Sequence, residues 1–432
     1  MFFLLVGICT IAFLLTFFNG FQLAWDDTWQ VLENPLIQDY STHTILFHFT
    51  HFWQQQYSPV NSLFYCIIVW LFGIEPAAFH TACLFIHLAN TILVFEITKK
   101  LVLQLLPHEA NSKTIGYAFF TALIFAIHPL QVESVAWISA SKILLYAFFA
   151  LVALLCYIRY VQTSHFLWLA ITVLAYVLGF GSKEQAIILP LNLFLFDYIF
   201  GRFEGLTWKN AMFSRVMLEK SAFLLLAMAF WYFSWVNNTG SIQVVGGYPF
   251  YQRILFGMHS LVEYIFRFLL PAKLYFFHPF PISPGELLPP FYYGYILIVG
   301  IIGYFVWENY WNGNRLVVFG FLFFLINLLL VLHIIPLPRP VITADRYMYL
   351  SLVGIALVLV SKLDQWLFSR NTRYQFPLVV VCLTWFIFLG VHTFLRTGDW
   401  KDSETAKSNV NEIIEKRKAQ EPDNLFNLIE NE

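Results

Sequence analysis

MFFLLVGICTIAFLLTFFNGFQLAWDD, residues Met1 to Asp27, runs as far as Trp25 without a charged side chain and then sets two aspartates side by side. A stretch so long and apolar is what a helix needs to cross a bilayer. It has neither a basic n-region nor a small-x-small cleavage site, so it reads as a retained first span rather than a signal peptide. Apolar runs bounded by charge or by Pro and Gly continue the pattern, giving spans at 2–23, 78–106, 114–128, 141–161, 165–181, 185–201, 217–236, 290–307, 316–335, 347–362 and 376–396, about 11 transmembrane helices. Two further stretches, 59–74 and 251–271, read as interfacial helices lying along the surface. The first is short, and the second contains Arg253, Glu263 and Arg267, which are expected on its solvated face. The fold class is therefore an all-α polytopic membrane protein, with residues 1–398 as one membrane domain and 399–432 as a short polar helical tail.

Composition agrees with that class. The chain is 59% hydrophobic and 19% aromatic with 12% charged residues, about half the charged share of a soluble domain. A net charge of −1 offers no basic field, which removes nucleic acid as a partner. Cys9, Cys66, Cys83, Cys156 and Cys382 all lie in apolar runs without CxxC spacing, so they read as small core hydrophobes rather than a disulfide framework or zinc site.

Orientation follows from the basic residues of the short loops. With the N-terminus inside, the inner loops hold Lys99, Lys100, Lys113, Arg159, Arg202, Lys209, Arg215, Lys220, Arg315, Lys362, Arg370 and Arg373. The outer loops hold only Lys142, Lys183, Arg253, Arg267, Lys273, Arg339 and Arg346 over a longer length. The first outer loop, 24–76, then carries Asp26-Asp27 and no Lys or Arg, and the tail from Asp399 lies on the same extracytoplasmic side.

Charges at the outer span ends are the candidates for chemistry, because an ionised group there requires a partner or water. Two adjacent carboxylates, Asp26 and Asp27, cannot both be desolvated cheaply, although a solvated span end also accounts for them. His128-Pro129 through Glu133, followed by Lys142, marks a bend and re-entry. Ser182-Lys183-Glu184-Gln185 sits in a tight turn, where a local Lys-Glu contact is the bland reading. Pro338-Arg339-Pro340 leads to Asp345-Arg346, and an arginine beside an acid suits anion binding, while Tyr347 and Tyr349 suit the aromatic belt. His43, His48 and His51 lie in the first loop, and His80 and His87 fall seven apart on one helix face. Satisfied polar residues explain them more simply than a metal site does. Asn237-Asn238-Thr239 is a glycosylation sequon of a kind frequent by chance.

Taken in order, Trp25-Asp26-Asp27, Tyr57-Ser58-Pro59-Val60-Asn61, Phe79-His80, His128-Pro129 through Glu133-Ser134-Val135-Ala136-Trp137, Ser182-Lys183-Glu184-Gln185 and Ala344-Asp345-Arg346-Tyr347 are more specific than any one of them. This constellation, from about residue 20 to residue 403, resembles the membrane part of the transmembrane and tetratricopeptide repeat O-mannosyltransferases and their bacterial relatives, within the GT-C glycosyltransferase superfamily. The resemblance implies a GT-C-like fold, an outward-facing site, a polyprenyl-phosphate sugar as donor and a Ser or Thr hydroxyl of a protein as acceptor. It places the family's acidic pair on Asp26 and Asp27, with Asp26 as the base. Many members have arginine where this chain has Ser58, which weakens a phosphate contact from that position. Long members continue into tetratricopeptide repeats, whereas here only Asp402-Ser403-Glu404 to Pro422-Asp423-Asn424 is similar to the start of one.

Such transfer needs a base for the acceptor hydroxyl and positive charge on the departing phosphate. Asp26 or Asp27 suits the first task. For the second, Arg346, Lys183, Lys142 and Arg339 are the candidates in that order, with His128, Glu133, Glu184 and Asp345 as further site residues. No cofactor is specified and the involvement of a divalent metal is open. So are the sugar and the acceptor, which is a protein, a glycan or a lipid. Membrane lipids are the surrounding partner, with a bacterial inner membrane favoured over the endoplasmic reticulum. The rival class is a transporter or flippase, which also needs charges facing a cavity, but no internal repeat is visible.

Overall fold

A computed structural model describes residues 1–54, 56–205, 210, 214–238, 247–272, 274, 278–335, 341–367 and 375–408. The helices in chain order are α1 (Phe2–Ala12), α2 (Thr42–Thr50), α3 (Pro59–Phe72), α4 (Pro76–Leu105), α5 (Asn111–Ile127), α6 (Val132–Ala136), α7 (Ser141–Thr163) and α8 (Phe166–Ser182). They continue as α9 (Leu189–Ile199), α10 (Arg215–Asn238), α11 (Phe250–Leu269), α12 (Gly294–Trp311), α13 (Arg315–Leu328), α14 (Met348–Leu367) and α15 (Gln375–Thr397). Among the described residues the strands are β1 (His278–Pro279) and β2 (Val341–Thr343), paired antiparallel with His278 opposite Thr343.

The described residues are predominantly helical, and the chain is a multi-pass integral membrane protein. Among the described residues, six helical segments, Pro76–Leu105, Ile138–Thr163, Arg215–Val236, Pro290–Trp311, Asp345–Leu367 and Gln375–Trp400, are long and apolar enough to cross a bilayer. A seventh is counted if α5 and α6, bent by 54° across Pro129, form one broken span. Proline has no N–H to donate and forces the preceding residue out of the helical region, and His128 is accordingly extended at φ −76°, ψ 132°. The remaining stretches expected to span are carried by shorter helices. In α1, regular helix ends at Ala12 and a tighter turn follows over Leu14–Phe18.

The packing centre is α4 against α5 and α7, with α14 on α5 and α13 on α14. Several of the polar groups inside it pair with one another, which offsets their burial in a low-dielectric interior. His87 joins the Tyr349 hydroxyl at 2.8 Å through Nδ1 and the Ala126 carbonyl at 3.1 Å through Nε2, and Asn90 donates to Tyr349 at 3.0 Å. At the end of the bundle away from the first loop, fully buried Asp197 meets Lys220 at 2.6 Å and Arg202 at 3.0 Å, while Arg202 also reaches Glu219 at 2.8 Å.

Helices α13 and α14 touch backbone to backbone where Gly320 faces Gly354. A Cβ on Gly320 would lie 2.6 Å from the Gly354 carbonyl, and one on Gly354 would lie 2.6 Å from the Phe324 nitrogen. Small residues allow this approach. Gly354→Ala is therefore expected to push the helices apart and lower the thermal midpoint in detergent, whereas Gly116→Ala, which meets nothing within 4 Å, leaves it unchanged. Equal midpoints for the two variants would refute the close crossing.

Helix α11 departs from expectation. Rather than presenting its charges to solvent, it turns Ser260, Tyr264 and Arg267 inward along one face, all three buried. The Tyr264 hydroxyl bridges the Ala344 carbonyl and nitrogen at 3.3 and 3.2 Å, and Arg267 pairs with Glu263 at 3.3 Å and with Asp345 at 3.6 Å. The buried Asp345 carboxylate supplies the reason, since it needs cationic partners. Arg253 is half-buried and donates to the Ile334 carbonyl at 3.1 Å.

Candidate functional site

The start of the first loop is clamped to the segment that follows α15. Asn19 donates to the Thr397 carbonyl at 2.9 Å, Gly20 N to Lys401 O at 2.8 Å, Gln22 to Trp400 O at 2.7 Å, and Ala24 N to the Ser403 hydroxyl at 3.0 Å. This holds Asp26 and Asp27 in fixed and opposite roles. Asp27 is fully buried and accepts from Gln22 N at 2.9 Å, from Ser139 N at 2.9 Å and from the Ser139 hydroxyl. Asp26 is half-buried and accepts only long contacts from Trp29 Nε1 at 3.3 Å and Gln30 Nε2 at 3.4 Å. The buried acid ties the loop to the turn before α7, and the other keeps a carboxylate edge available.

Burial pushes the Asp27 carboxyl from 3.8 up to about 6, against the opposing hydrogen bonds from Ser139 and Gln22, with the neighbouring Asp26 charge adding a smaller rise. The sign for stability follows from the raised value. As pH falls through about 6 the folded protein takes up a proton that the unfolded chain binds only near 3.8, so native stability rises across that window and levels off below it. The expected gain is about 2 to 3 kcal/mol at most. It should appear as a thermal midpoint in detergent that rises on acidification through pH 6, and the rise should vanish in Asp27→Asn. A rise of the same size in that variant would remove Asp27 as its source.

Glu133, fully buried on α6, forms an ion pair with the Arg346 guanidinium and also accepts the Arg346 backbone N–H at 2.9 Å. The guanidinium lies 5.5 Å from the Trp137 ring centre and 5.2 Å from that of Tyr347. Its side chain is 18% exposed, and the ion pair with Glu133 runs through Nη1. Asp26 is close enough to act on Arg346 electrostatically. Three indoles gather the segments: Trp25 packs edge-on at 6.3 Å from Trp137 and 6.0 Å from Trp400, and Trp137 stacks on Trp400 at 5.6 Å.

Asp345 turns the other way, to Arg396 at 2.6 Å and Arg267 at 3.6 Å, and Arg396 also donates to the Pro129 carbonyl at 2.6 Å. His128 has both ring nitrogens on backbone partners. Nδ1 accepts from Leu130 N at 3.2 Å, which leaves Nε2 as the donor to Phe268 O at 2.9 Å, so this ring stabilises the bend. Lys142 donates to the Gln56 side-chain carbonyl at 2.7 Å. Lys183 is buried where α8 ends, and nearby Gly181 lies so close to α3 that a Cβ there would come within 2.9 Å of Val60 and 3.5 Å of Pro59. Glu184 follows it at half exposure. Arg339, like the tail beyond residue 408, lies outside the described residues. Among the described residues no group of three or more His, Cys, Asp or Glu side chains is placed to hold a metal ion.

Sequence reasoning thus named Asp26, Glu133 and Arg346, which the fold brings together, but gave Ser139 and Arg396 no role. Arg396 carried a readable signal, being a charge in the last turn of an apolar run. Ser139 carried none, because a serine in a turn is commonplace until its partner is known.

No family profile and no solved structure matches the chain. Over 147 residues it is 28% identical to the protein O-mannosyl-transferase TMTC1 of Mus musculus, covering 32% of this chain and 15% of that protein. The human TMTC1 protein matches over the same length at the same identity, with 16% of it covered. The protein O-mannosyl-transferase F38B6.6 of Caenorhabditis elegans is 23% identical over 178 residues, 39% of this chain and 24% of its own length. The chain thus spans well under two thirds of these curated relatives.

Proposed function

We propose that this chain is a membrane glycosyltransferase that moves a sugar, mannose in the family it resembles, from a polyprenyl-phosphate donor to an acceptor hydroxyl, a Ser or Thr of a protein. The observation that carries the reading is the half-buried Asp26 carboxylate within electrostatic reach of a partly exposed arginine that Glu133 holds in place. A base and an anion contact are the two groups such a transfer needs. The O-mannosyl-transferase names of the partial relatives favour the same chemistry.

In this reading the acceptor oxygen attacks the anomeric carbon, and its proton passes to Asp26. The bond from that carbon to the donor phosphate oxygen breaks, and the negative charge gathering on the phosphate is met by the Arg346 guanidinium. Glu133 holds the guanidinium in place. Asp27 fixes the loop without touching the reacting atoms. Lys183 and Lys142 lie on neighbouring segments and assist more remotely. The bias of basic residues toward the opposite loops favours an outward-facing site.

The direct test incubates purified protein in lipid nanodiscs with radiolabelled polyprenyl-phosphate mannose or glucose and extracted cell-envelope protein. Label should appear in protein and be released by cleavage at Ser or Thr. Movement of intact labelled lipid across the bilayer, with no transfer from any donor, would replace this reading with the flippase.

A further inference from the structure

Helix α5 stops at Ile127 because Pro129 cannot continue it, and a helix end leaves its last carbonyls without partners inside the helix. Buried as they are, those carbonyls need donors from elsewhere. The Ala126 carbonyl meets His87 at 3.1 Å, the Ile127 carbonyl accepts from the Thr393 hydroxyl at 2.6 Å, and the Pro129 carbonyl accepts from Nη1 of Arg396 at 2.6 Å. Thr393 and Arg396 are three apart on one face of α15. A hydroxyl serves at Ile127. What an arginine adds at Pro129 is a second nitrogen in the same rigid fork, and Nη2 of Arg396 takes the Asp345 carboxylate at 2.6 Å.

These two acceptors are the roots of the Glu133–Arg346 ion pair. Pro129 opens the short turn that leads into α6, where Glu133 sits in the first turn, and Asp345 is the residue before Arg346. Arg396 therefore bridges two segments whose paired residues are 213 positions apart. Helix α11 closes the junction from another side. His128 donates to Phe268 O at 2.9 Å, the Tyr264 hydroxyl bonds to Ala344 at 3.3 and 3.2 Å, and Arg267 reaches Asp345 at 3.6 Å. The end of α15 then runs straight into the segment that holds the loop carrying Asp26, through Asn19 at 2.9 Å and Gln22 at 2.7 Å.

We infer that Arg396 is a positioning residue for the site. Without touching a reacting atom, it fixes the Glu133–Arg346 pair, and with it the place of the Arg346 guanidinium relative to Asp26. Its effect on catalysis rests on the glycosyltransferase reading, while the tie between the two segments does not. An arginine that only capped α5 would hold the protein together and leave turnover alone.

Arg396→Lys and Arg396→Gln in the full chain, in lipid nanodiscs, test this against Arg253→Lys. That control changes another arginine that donates to a backbone carbonyl, Ile334 O at 3.1 Å. In both Arg396 variants Arg267 remains as a cation for Asp345, and lysine offers a point charge where the fork spanned two acceptors. Per folded molecule, kcat for sugar transfer should fall about tenfold in Arg396→Lys and about a hundredfold in Arg396→Gln, the scale on which a displacement of about 1 Å acts. Donor KM should stay within about twofold of the parent, since the contact that suffers is the one strongest in the transition state. Hydrogen–deuterium exchange reads the tie without requiring transfer. Peptides covering 130–139 and 343–347 should exchange about tenfold faster in Arg396→Gln, and Arg253→Lys should match the parent in both measurements. Unchanged kcat in Arg396→Gln with a lowered thermal midpoint would reduce Arg396 to a cap for α5. Unchanged exchange at both peptides, or an equal loss of kcat in Arg253→Lys, would also overturn the inference. Faster exchange at those peptides in a protein that transfers no sugar would leave the tie standing and remove the glycosyltransferase reading instead.

Discussion

Asp26→Asn should reduce sugar transfer by about 10²- to 10⁴-fold, the usual worth of a positioned general base, while the protein remains folded in the membrane. The substitution preserves shape. The amide oxygen it introduces can still accept from Trp29 or Gln30, and both contacts are long to begin with, at 3.3 and 3.4 Å. Only the capacity to take a proton is lost. The loss should fall on kcat, with donor KM near that of the parent protein and an unchanged thermal midpoint. Asp27→Asn should behave differently. Its carboxylate is fully buried and accepts Gln22 N, Ser139 N and the Ser139 hydroxyl. An amide nitrogen turned toward any of those donors leaves buried hydrogen-bonding groups unmet, at about 1 to 3 kcal/mol. The expected signature is a lower midpoint above pH 6 and poorer yield. Near-normal turnover by purified Asp26→Asn would remove that residue from the mechanism.

Replacement of Arg346 should reduce kcat/KM for the donor by about 10²- to 10³-fold, the cost of losing one preorganised contact to developing negative charge. The simplest variant is a poor test. Arg346→Ala strands the fully buried Glu133 carboxylate, and breaking one side of a buried pair costs about 3 to 5 kcal/mol, so lost activity would be confused with lost folding. Arg346→Lys keeps a cation for Glu133 but offers a point charge where the planar fork stood. The double variant Glu133→Gln with Arg346→Ala removes the stranded charge. It should recover the thermal midpoint relative to Arg346→Ala and recover no transfer. Donor kcat/KM unchanged in Arg346→Lys, or transfer regained in the double variant, would assign the phosphate contact elsewhere, with Lys183 and Lys142 next in line.

Much of the fold was legible because hydropathy is a property of each residue's own chemistry. The runs at 78–106, 141–161, 217–236, 290–307, 347–362 and 376–396 all correspond to helices long enough to cross a bilayer. Where runs and helices diverge, tertiary contacts are the cause. In the stretch 251–271, Arg267 faces inward because Asp345, seventy-eight positions later in the chain, needs its charge. The first run stops being regular helix at Ala12, and the Thr397–Ser403 segment takes up the polar groups of the residues that follow it.

The sequence by itself determined the membrane class, the bias of basic residues and a short roster of out-of-place charges containing Asp26, Glu133 and Arg346. Tertiary structure alone decided what the acidic pair is. Asp26 and Asp27 have the same side chain and adjoining positions, so no pattern in the chain separates them. They differ because Ser139 closes over one carboxylate while the other stays half open beside Arg346. Their nearby partners, Gln22 for Asp27 and Trp29 and Gln30 for Asp26, do not separate the two; Ser139 and Arg346, more than a hundred positions away, do, and those contacts exist only once the helices have packed.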